Sequence, residues 1–159
     1  MKRILVIYYT QSGQLKKIAD NFVAPFQKKG VEVDFYQIEM EIPFPFPWTN
    51  ESFFGAFPES FLEIPQAIKP VSTAIMSKEY DLIVLAYQVW YLSPSIPVTS
   101  FLKSEQARAL LEGKPVVTLS GTRNMWIKAQ EKVRNMLVKK GARIVANIAL
   151  TDRHYNHIS

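Results

Sequence analysis

The most constraining feature of the chain is its beginning. An apolar run, Ile4-Leu5-Val6-Ile7-Tyr8-Tyr9, passes directly into Thr10-Gln11-Ser12-Gly13-Gln14, and an amphipathic helix follows. A continuous apolar run of this length reads as a strand buried on both faces, as strands of a parallel sheet are. Feeding such a strand into a short hydroxyl- and glycine-containing turn at a helix N-terminus makes an anion site. The N–H groups of the first helical turn lack partners, and the positive end of the helix dipole points at the same place. Thr10 and Ser12 add hydroxyl donors, and Gly13 allows a ligand to approach the backbone. No Lys lies in the turn and the Walker spacing is absent, which excludes a nucleoside-triphosphate loop. The expected ligand is a phosphate monoester held mainly by neutral donors.

The periodicity continues as strands alternating with helices. Residues 3–9 form the first strand, and Leu15, Ile18, Ala19, Phe22, Val23 and Phe26 recur at helical spacing until Gly30 ends that helix. Val31 to Ile38 reads as the second strand and Leu82 to Ala86 as the third. A helical stretch starts within Pro94 to Leu102 and continues through Ala107, Leu110 and Leu111 to Gly113. Lys114 to Leu119 is the fourth strand, and Trp126, Ala129, Gln130, Val133, Met136 and Leu137 form the next helix face, closed by Gly141. Ala142 to Leu150 is the fifth strand. The alternation predicts an open parallel α/β sheet with helices on both faces. Residues 39–79 break the pattern: they hold six of the ten Pro and six of the ten Phe, plus Trp48. A segment of this length without clear periodicity is expected to be functional, as a lid or a subunit interface. After Leu150 only nine residues remain where such a domain adds a covering helix, so one face of the sheet is expected to be bare, covered by a second subunit, or covered by sequence beyond Ser159.

At 159 residues the chain reads as one domain, 1–159, with an ordinary globular balance of 48% hydrophobic and 21% charged residues. The absence of Cys excludes disulfides and thiolate chemistry. No signal peptide or membrane-length apolar run is seen, so the expected location is cytoplasmic. The net charge of +5 comes from Lys and Arg spread along helices, a pattern of solvated faces rather than of a nucleic-acid surface. It is also the wrong sign for a small acidic electron shuttle that docks on basic partners. His154 and His157 lack carboxylate companions, and no metal site is expected.

In an open α/β sheet, ligands bind outside the carboxyl ends of the strands. Three such ends are distinctive: the Thr10–Gln14 turn with Leu15 behind it, then Tyr87-Gln88-Val89-Trp90-Tyr91-Leu92-Ser93-Pro94, and then Ser120-Gly121-Thr122-Arg123-Asn124-Met125-Trp126. Together they offer a phosphate cradle, aromatic rings, and amide and guanidinium donors. A flat heterocycle with a phosphate tail fits that inventory, with Arg123 placed to stabilise negative charge on a reduced ring. The candidate cofactor residues are therefore Thr10, Gln11, Ser12, Gly13, Gln14, Leu15, Gln88, Val89, Trp90, Tyr91, Leu92, Ser120, Gly121, Arg123, Asn124 and Trp126. No dedicated base stands among them; Tyr87, Tyr91 or solvent are the candidates, and catalytic residues are otherwise unassigned.

At these residues the chain resembles the flavodoxin-like superfamily, whose phosphate loop usually reads Thr/Ser-x-Thr-Gly-x-Thr; Leu15 here removes the last hydroxyl. The resemblance implies a doubly wound five-stranded parallel sheet in the order 2-1-3-4-5, with FMN (or FAD) as cofactor. Val89 to Pro97, followed by Phe101-Leu102-Lys103, is similar to the loop and helix of flavodoxin-fold quinone and flavin reductases. A closer likeness is to the dialkylresorcinol condensing enzyme family of aryl-polyene, flexirubin and dialkylresorcinol biosynthesis. It rests on Tyr8 to Leu15, Pro43-Phe44-Pro45-Phe46-Pro47-Trp48, Leu85 to Ser95, and Arg123-Asn124-Met125-Trp126. That likeness implies a flavin-dependent oxidoreductase active on a hydrophobic cyclic (quinone- or cyclohexanedione-like) substrate, with oxidation of a cyclohexanedione-type intermediate to the aromatic resorcinol as the specific step. The aromatic residues 44–61 read as a lid or as a dimer interface, so a homodimer is expected.

The same residues have plainer readings. Thr10–Gln14 could be only a strand-to-helix cap, Trp90, Tyr91 and Trp126 core residues, and Arg123 a surface arginine. Two rival functions follow: an electron carrier of flavodoxin type, and a non-redox interaction module that kept the fold without the cofactor.

Overall fold

The apolar run that begins at Ile4 has neighbours on both sides and on both faces, and the fold grows outward from it. The computed structural model describes residues 2–10, 13–42, 65–90, 93–122 and 127–151. Strands β1 (Arg3–Tyr8), β2 (Glu32–Gln37), β3 (Leu82–Trp90), β5 (Pro115–Thr122) and β6 (Arg143–Thr151) form a parallel sheet in the order β2-β1-β3-β5-β6. The two-residue strand β4 (Ser93–Pro94) turns back antiparallel to the end of β3. Leaving β4 aside, this is the expected order 2-1-3-4-5. The helices are α1 (Gln14–Lys28), α2 (Thr73–Met76), α3 (Ile96–Leu102), α4 (Glu105–Leu111) and α5 (Ile127–Lys139).

Alternate residues of each strand face opposite sides. Ile4, Val6, Tyr8, Val84, Ala86 and Leu119 pack with Leu15, Ala19 and Val23 of α1. Leu5, Ile7, Ile83, Leu85, Tyr87 and Val116 pack with α3, α4 and α5 through Val98, Phe101, Leu110, Val133 and Leu137, among others. Burying a large aliphatic or aromatic side chain contributes roughly 1.5–3 kcal/mol, so these two clusters dominate the stability of the sheet. At the β6 edge the apolar cover thins: Val145 and Leu150 are exposed, and no helix follows β6 among the described residues.

Several boundaries differ from the sequence reading. β3 does not stop at Ala86; Tyr87 and Gln88 pair with Ser120 and Gly121, and Val89 and Trp90 pair with Pro94 and Ser93. β5 likewise runs to Thr122, paired as far as Thr151 of β6. Residues assigned to loops because they are polar are therefore held in strands by the ladder hydrogen bonds of their neighbours. The stretch read as one helix from Pro94 to Gly113 is two. The Ser104 hydroxyl donates to the Phe101 carbonyl (2.6 Å), ending α3, and accepts from the Ala107 N–H (3.3 Å), starting α4. Pro94 belongs to β4.

The aromatic-rich insertion is described only at its ends, and residues 43–64 lie outside the described residues. Those ends are stitched together: Met40 bridges Ile68, the Glu41 N–H donates to the Ala67 carbonyl (3.1 Å), and the Lys69 N–H to the Glu39 carbonyl (2.7 Å). The returning chain crosses α3 and α4, with the Gln66 N–H on Ser100 Oγ (2.8 Å) and the Val71 N–H on Gln106 Oε1 (3.0 Å). This explains why every residue of α3 is buried.

At the amino end of the sheet an ionic cluster ties the edge to the centre. Arg3 Nε lies 3.2 Å from Glu32, Lys78 Nζ 3.0 Å from Asp34, and the Tyr80 hydroxyl donates to Asp34 at 2.7 Å. Desolvation raises the Asp34 pKa, but the hydrogen bonds from Tyr80 and Lys78 outweigh it and hold the carboxyl below its usual range. The hydrogen bond from Arg3 does the same for Glu32. A depressed folded pKa means that the stabilisation is complete above the unfolded value and is lost as pH falls through the folded one. Urea unfolding at a series of pH values is expected to show stability dropping below about pH 4. Asp34→Asn should remove part of that drop, and Tyr80→Phe should cost about 1 kcal/mol at neutral pH.

Candidate functional site

The sheet order sets the carboxyl ends of β1, β3 and β5 side by side, with α1 starting over them. Thr10 Oγ1 accepts the Gly13 N–H at 3.0 Å, folding the turn back on itself. Gly13 sits in the left-handed region (φ 88°) with nothing within 4 Å of where a Cβ would stand. It occupies the N-cap of α1, where no side chain caps the helix and no acidic residue stands in the first turn. The first helical bond runs from the Lys17 N–H to the Gly13 carbonyl (3.2 Å). The N-cap of this 15-residue helix is thus a glycine, in place of the usual Ser, Thr, Asp or Asn. Lys16 does not serve the turn: its ammonium bonds Asp20 (2.6 Å) and lies 4.1 Å from the Phe35 ring centroid.

Behind the turn, Leu15 is buried in the α1 cluster. Its Cδ1 and that of Ile18 stand 3.5 Å and 3.8 Å from where a Cβ on Gly121 would be, so the end of β5 packs closely on the first turns of α1. Gln88, paired with Gly121, shares that face by strand alternation. Its Oε1 is buried without a hydrogen-bond partner, and so are Ser95 Oγ and Ser120 Oγ. The Ser95 N–H donates to the Gln88 carbonyl (3.0 Å), which brings Ser95 beside the same strand end. Buried polar atoms are almost always paired, and leaving one unpaired costs about 1–3 kcal/mol. Gln88 Oε1 lies on the α1 side of the strand ends, whereas Ser120, one residue before Gly121, faces the opposite side beside Tyr87; Tyr36 Oη and Thr99 Oγ1 are also buried without partners.

Of the candidate residues, the structure gathers Thr10, Gly13, Gln14 and Leu15 at the start of α1, Gln88 and Val89 on β3, and Ser120 and Gly121 on β5. Val89 packs against the α3–α5 side, and Trp90 takes its place in the β3 backbone. Gln11, Ser12, Tyr91, Leu92, Arg123, Asn124 and Trp126 lie outside the described residues, as do His154 and His157. No group of His, Asp or Glu able to hold a metal occurs among the described residues.

Tyr87 corrects an expectation. Its side chain is fully buried, and its hydroxyl donates to Gln130 Oε1 (2.5 Å). Gln130 Nε2 in turn donates to Thr118 Oγ1 (3.1 Å), and Thr118 to Asn147 Oδ1 (2.8 Å). Burial pushes the Tyr87 pKa far above the ordinary tyrosine value; the nearby Ser120 hydroxyl lowers it only partly and is not in hydrogen-bond geometry. Tyr87 is therefore no base at neutral pH. It clamps β3 to α5. Sequence reasoning missed this chain of hydrogen bonds and also Ser95. The signal for both was present as isolated hydroxyls and amides in otherwise apolar runs.

The two glycines should respond differently to a methyl group. Gly13→Ala is expected to destabilise the protein by about 1 kcal/mol, because an L side chain is strained in the left-handed region. Gly121→Ala meets only ordinary contacts and should shift stability by less than about 0.5 kcal/mol. Gly121→Val should cost about 1–3 kcal/mol by overpacking against Leu15 and Ile18. Denaturant midpoints of the three variants check this.

No protein-family model and no curated protein matches the chain. Solved structures do. A flavoprotein from Lactobacillus acidophilus, crystallised in complex with FMN, is 18% identical over 94% of this chain and 93% of its own, with a TM-score of 0.68. A flavoprotein from Bacteroides eggerthii is 18% identical over 94% of this chain and 89% of its own, with a TM-score of 0.71. Oxidised flavodoxin 1 from Bacillus cereus is 16% identical over 96% of this chain and 87% of its own, with a TM-score of 0.56. This chain therefore has the flavodoxin-like fold.

Proposed function

We propose that the protein binds FMN at the carboxyl ends of β1, β3 and β5 and is a flavin-dependent oxidoreductase acting on a hydrophobic ring-containing substrate. The observation that carries this reading is the start of α1, where a left-handed glycine takes the N-cap position. The Thr10 hydroxyl braces a turn whose glycine leaves the approach open, and the helix N–H groups point where a phosphate monoester fits. The unpartnered oxygens of Gln88 and Ser95, opposite each other at the end of β3, fit the polar edge of a flat heterocycle that carries N–H groups. The flavoprotein from Lactobacillus acidophilus, solved with FMN, adds support from a chain of the same fold.

When bound, FMN supplies the acceptor for a hydride leaving a ring carbon of the substrate. The protein's part is to hold the phosphate at Thr10–Gln14, to satisfy the ring edge from Gln88 and Ser95, and to exclude water by the packing behind Leu15 and Gly121. The finer reading, aromatisation of a cyclohexanedione-type ring to a dialkylresorcinol, is supported by the strings Leu85 to Ser95 and Arg123 to Trp126. The electron-carrier reading is favoured by the fold shared with flavodoxins, and the net charge of +5 stands against it.

Titration of the purified protein with FMN, followed by quenching of flavin fluorescence, is expected to saturate at one flavin per chain with micromolar or tighter affinity. Ser12→Asp places a carboxylate in the turn and should weaken binding at least about tenfold. A folded protein that leaves the flavin fluorescence unchanged overturns the reading. The FMN-loaded protein should then bleach with an alkylated cyclohexane-1,3-dione as the resorcinol forms; an electron carrier leaves the dione unchanged.

A further inference from the structure

At the end of β3 the chain turns back on itself, and the returning strand is short. Trp90 pairs with Ser93 and Val89 with Pro94, and the next bond runs from the Ser95 N–H to the Gln88 carbonyl (3.0 Å). Of the two residues of β4, Pro94 has no N–H to give to the ladder. A hairpin of this size is marginal in water by itself and needs packing against another element. That element is α5, which packs on β4.

Ala129, Val133, Met136 and Leu137 of α5 are buried in the core, as its amphipathic spacing requires. Lys132 is half-buried beside Val133, and its ammonium donates to Ser93 Oγ at 2.6 Å. A lysine on an amphipathic helix ordinarily lays its stem along apolar surface and keeps its charge in water. Here the charged end reaches a hydroxyl of a residue that is completely buried. A charge-assisted bond of this kind is roughly twice as strong as a neutral one, and its loss leaves the buried hydroxyl without that donor.

Ser93 stands two residues before Ser95. Ser95 is the N-cap of α3, yet its hydroxyl caps nothing and is buried without a partner, as is Gln88 Oε1 opposite it. The placing of these two oxygens relative to one another depends on the path of β4. We propose that Lys132 is a positioning residue for the flavin site: by holding Ser93 it fixes β4, and so keeps Ser95 opposite Gln88 for the edge of the ring. This role rests on the flavin reading, and Lys132 acts in it through Ser93 and not by contact with the ring.

Two measurements on the full chain test it. Hydrogen exchange of the flavin-free protein reads the hairpin. Lys132→Met keeps the stem and removes the donor, and the Ser95 amide is expected to exchange at least about tenfold faster, while the amides of Leu5 to Ile7 keep their rates. Titration with FMN, followed by fluorescence quenching, reads the site. Lys132→Met and Ser93→Ala should each weaken binding at least about fivefold, and the double variant no more than either alone. Lys132→Arg retains a charged donor and should bind within about twofold of the parent protein. Lys128→Met removes an exposed charge from the same helix and should leave both readouts unchanged. Faster exchange of the Ser95 and β1 amides alike, additive losses in the double variant, Lys132→Arg as weak as Lys132→Met, or unaltered affinity in Lys132→Met while the parent binds FMN each overturns the role of Lys132 and leaves the flavin reading standing. A folded parent protein that does not bind FMN overturns both.

Discussion

The structure depends on β1 being apolar on both sides. Leu5, Val6 and Ile7 are completely buried, and the strand pairs with β2 along one edge and β3 along the other. A strand in that position has no solvated face on which a polar residue could sit. It forces α1 onto one side, α3 to α5 onto the other, and the chain out of the sheet at Tyr8. The turn at Thr10 and the start of α1 thereby follow directly from a fully buried strand.

Satisfied and unsatisfied polar groups lie in different parts of the fold. At the amino end, Arg3, Glu32, Asp34, Lys78 and Tyr80 satisfy one another's charges and hydrogen bonds. Buried oxygens without partners occur elsewhere: on Gln88, Ser95 and Ser120 near the carboxyl end, on Tyr36 of β2 and on Thr99 within α3. The hydrogen-bond chain from Tyr87 to Asn147 keeps β3, α5, β5 and β6 in register.

The matching structures share the fold at 16–18% identity. In this chain four cations that are scattered in the sequence line a single cleft between α3, α4 and α5.

The sequence alone determined the class of fold, the strand order through its resemblance, and the Thr10–Gln14 turn, because burial on two faces and helix start signals are local and periodic. Gly30 and Gly141 marked helix ends for the same reason. Tertiary structure alone decided the lengths of β3 and β5, where pairing overrides the polarity of Gln88 and Ser120. It decided that Tyr87 is a clamp and not a base, since burial and the contact with Gln130 depend on a helix more than forty residues away. It also decided where positive charge gathers, because Lys103 and Lys139 become neighbours only when α3 and α5 pack on the same face of the sheet.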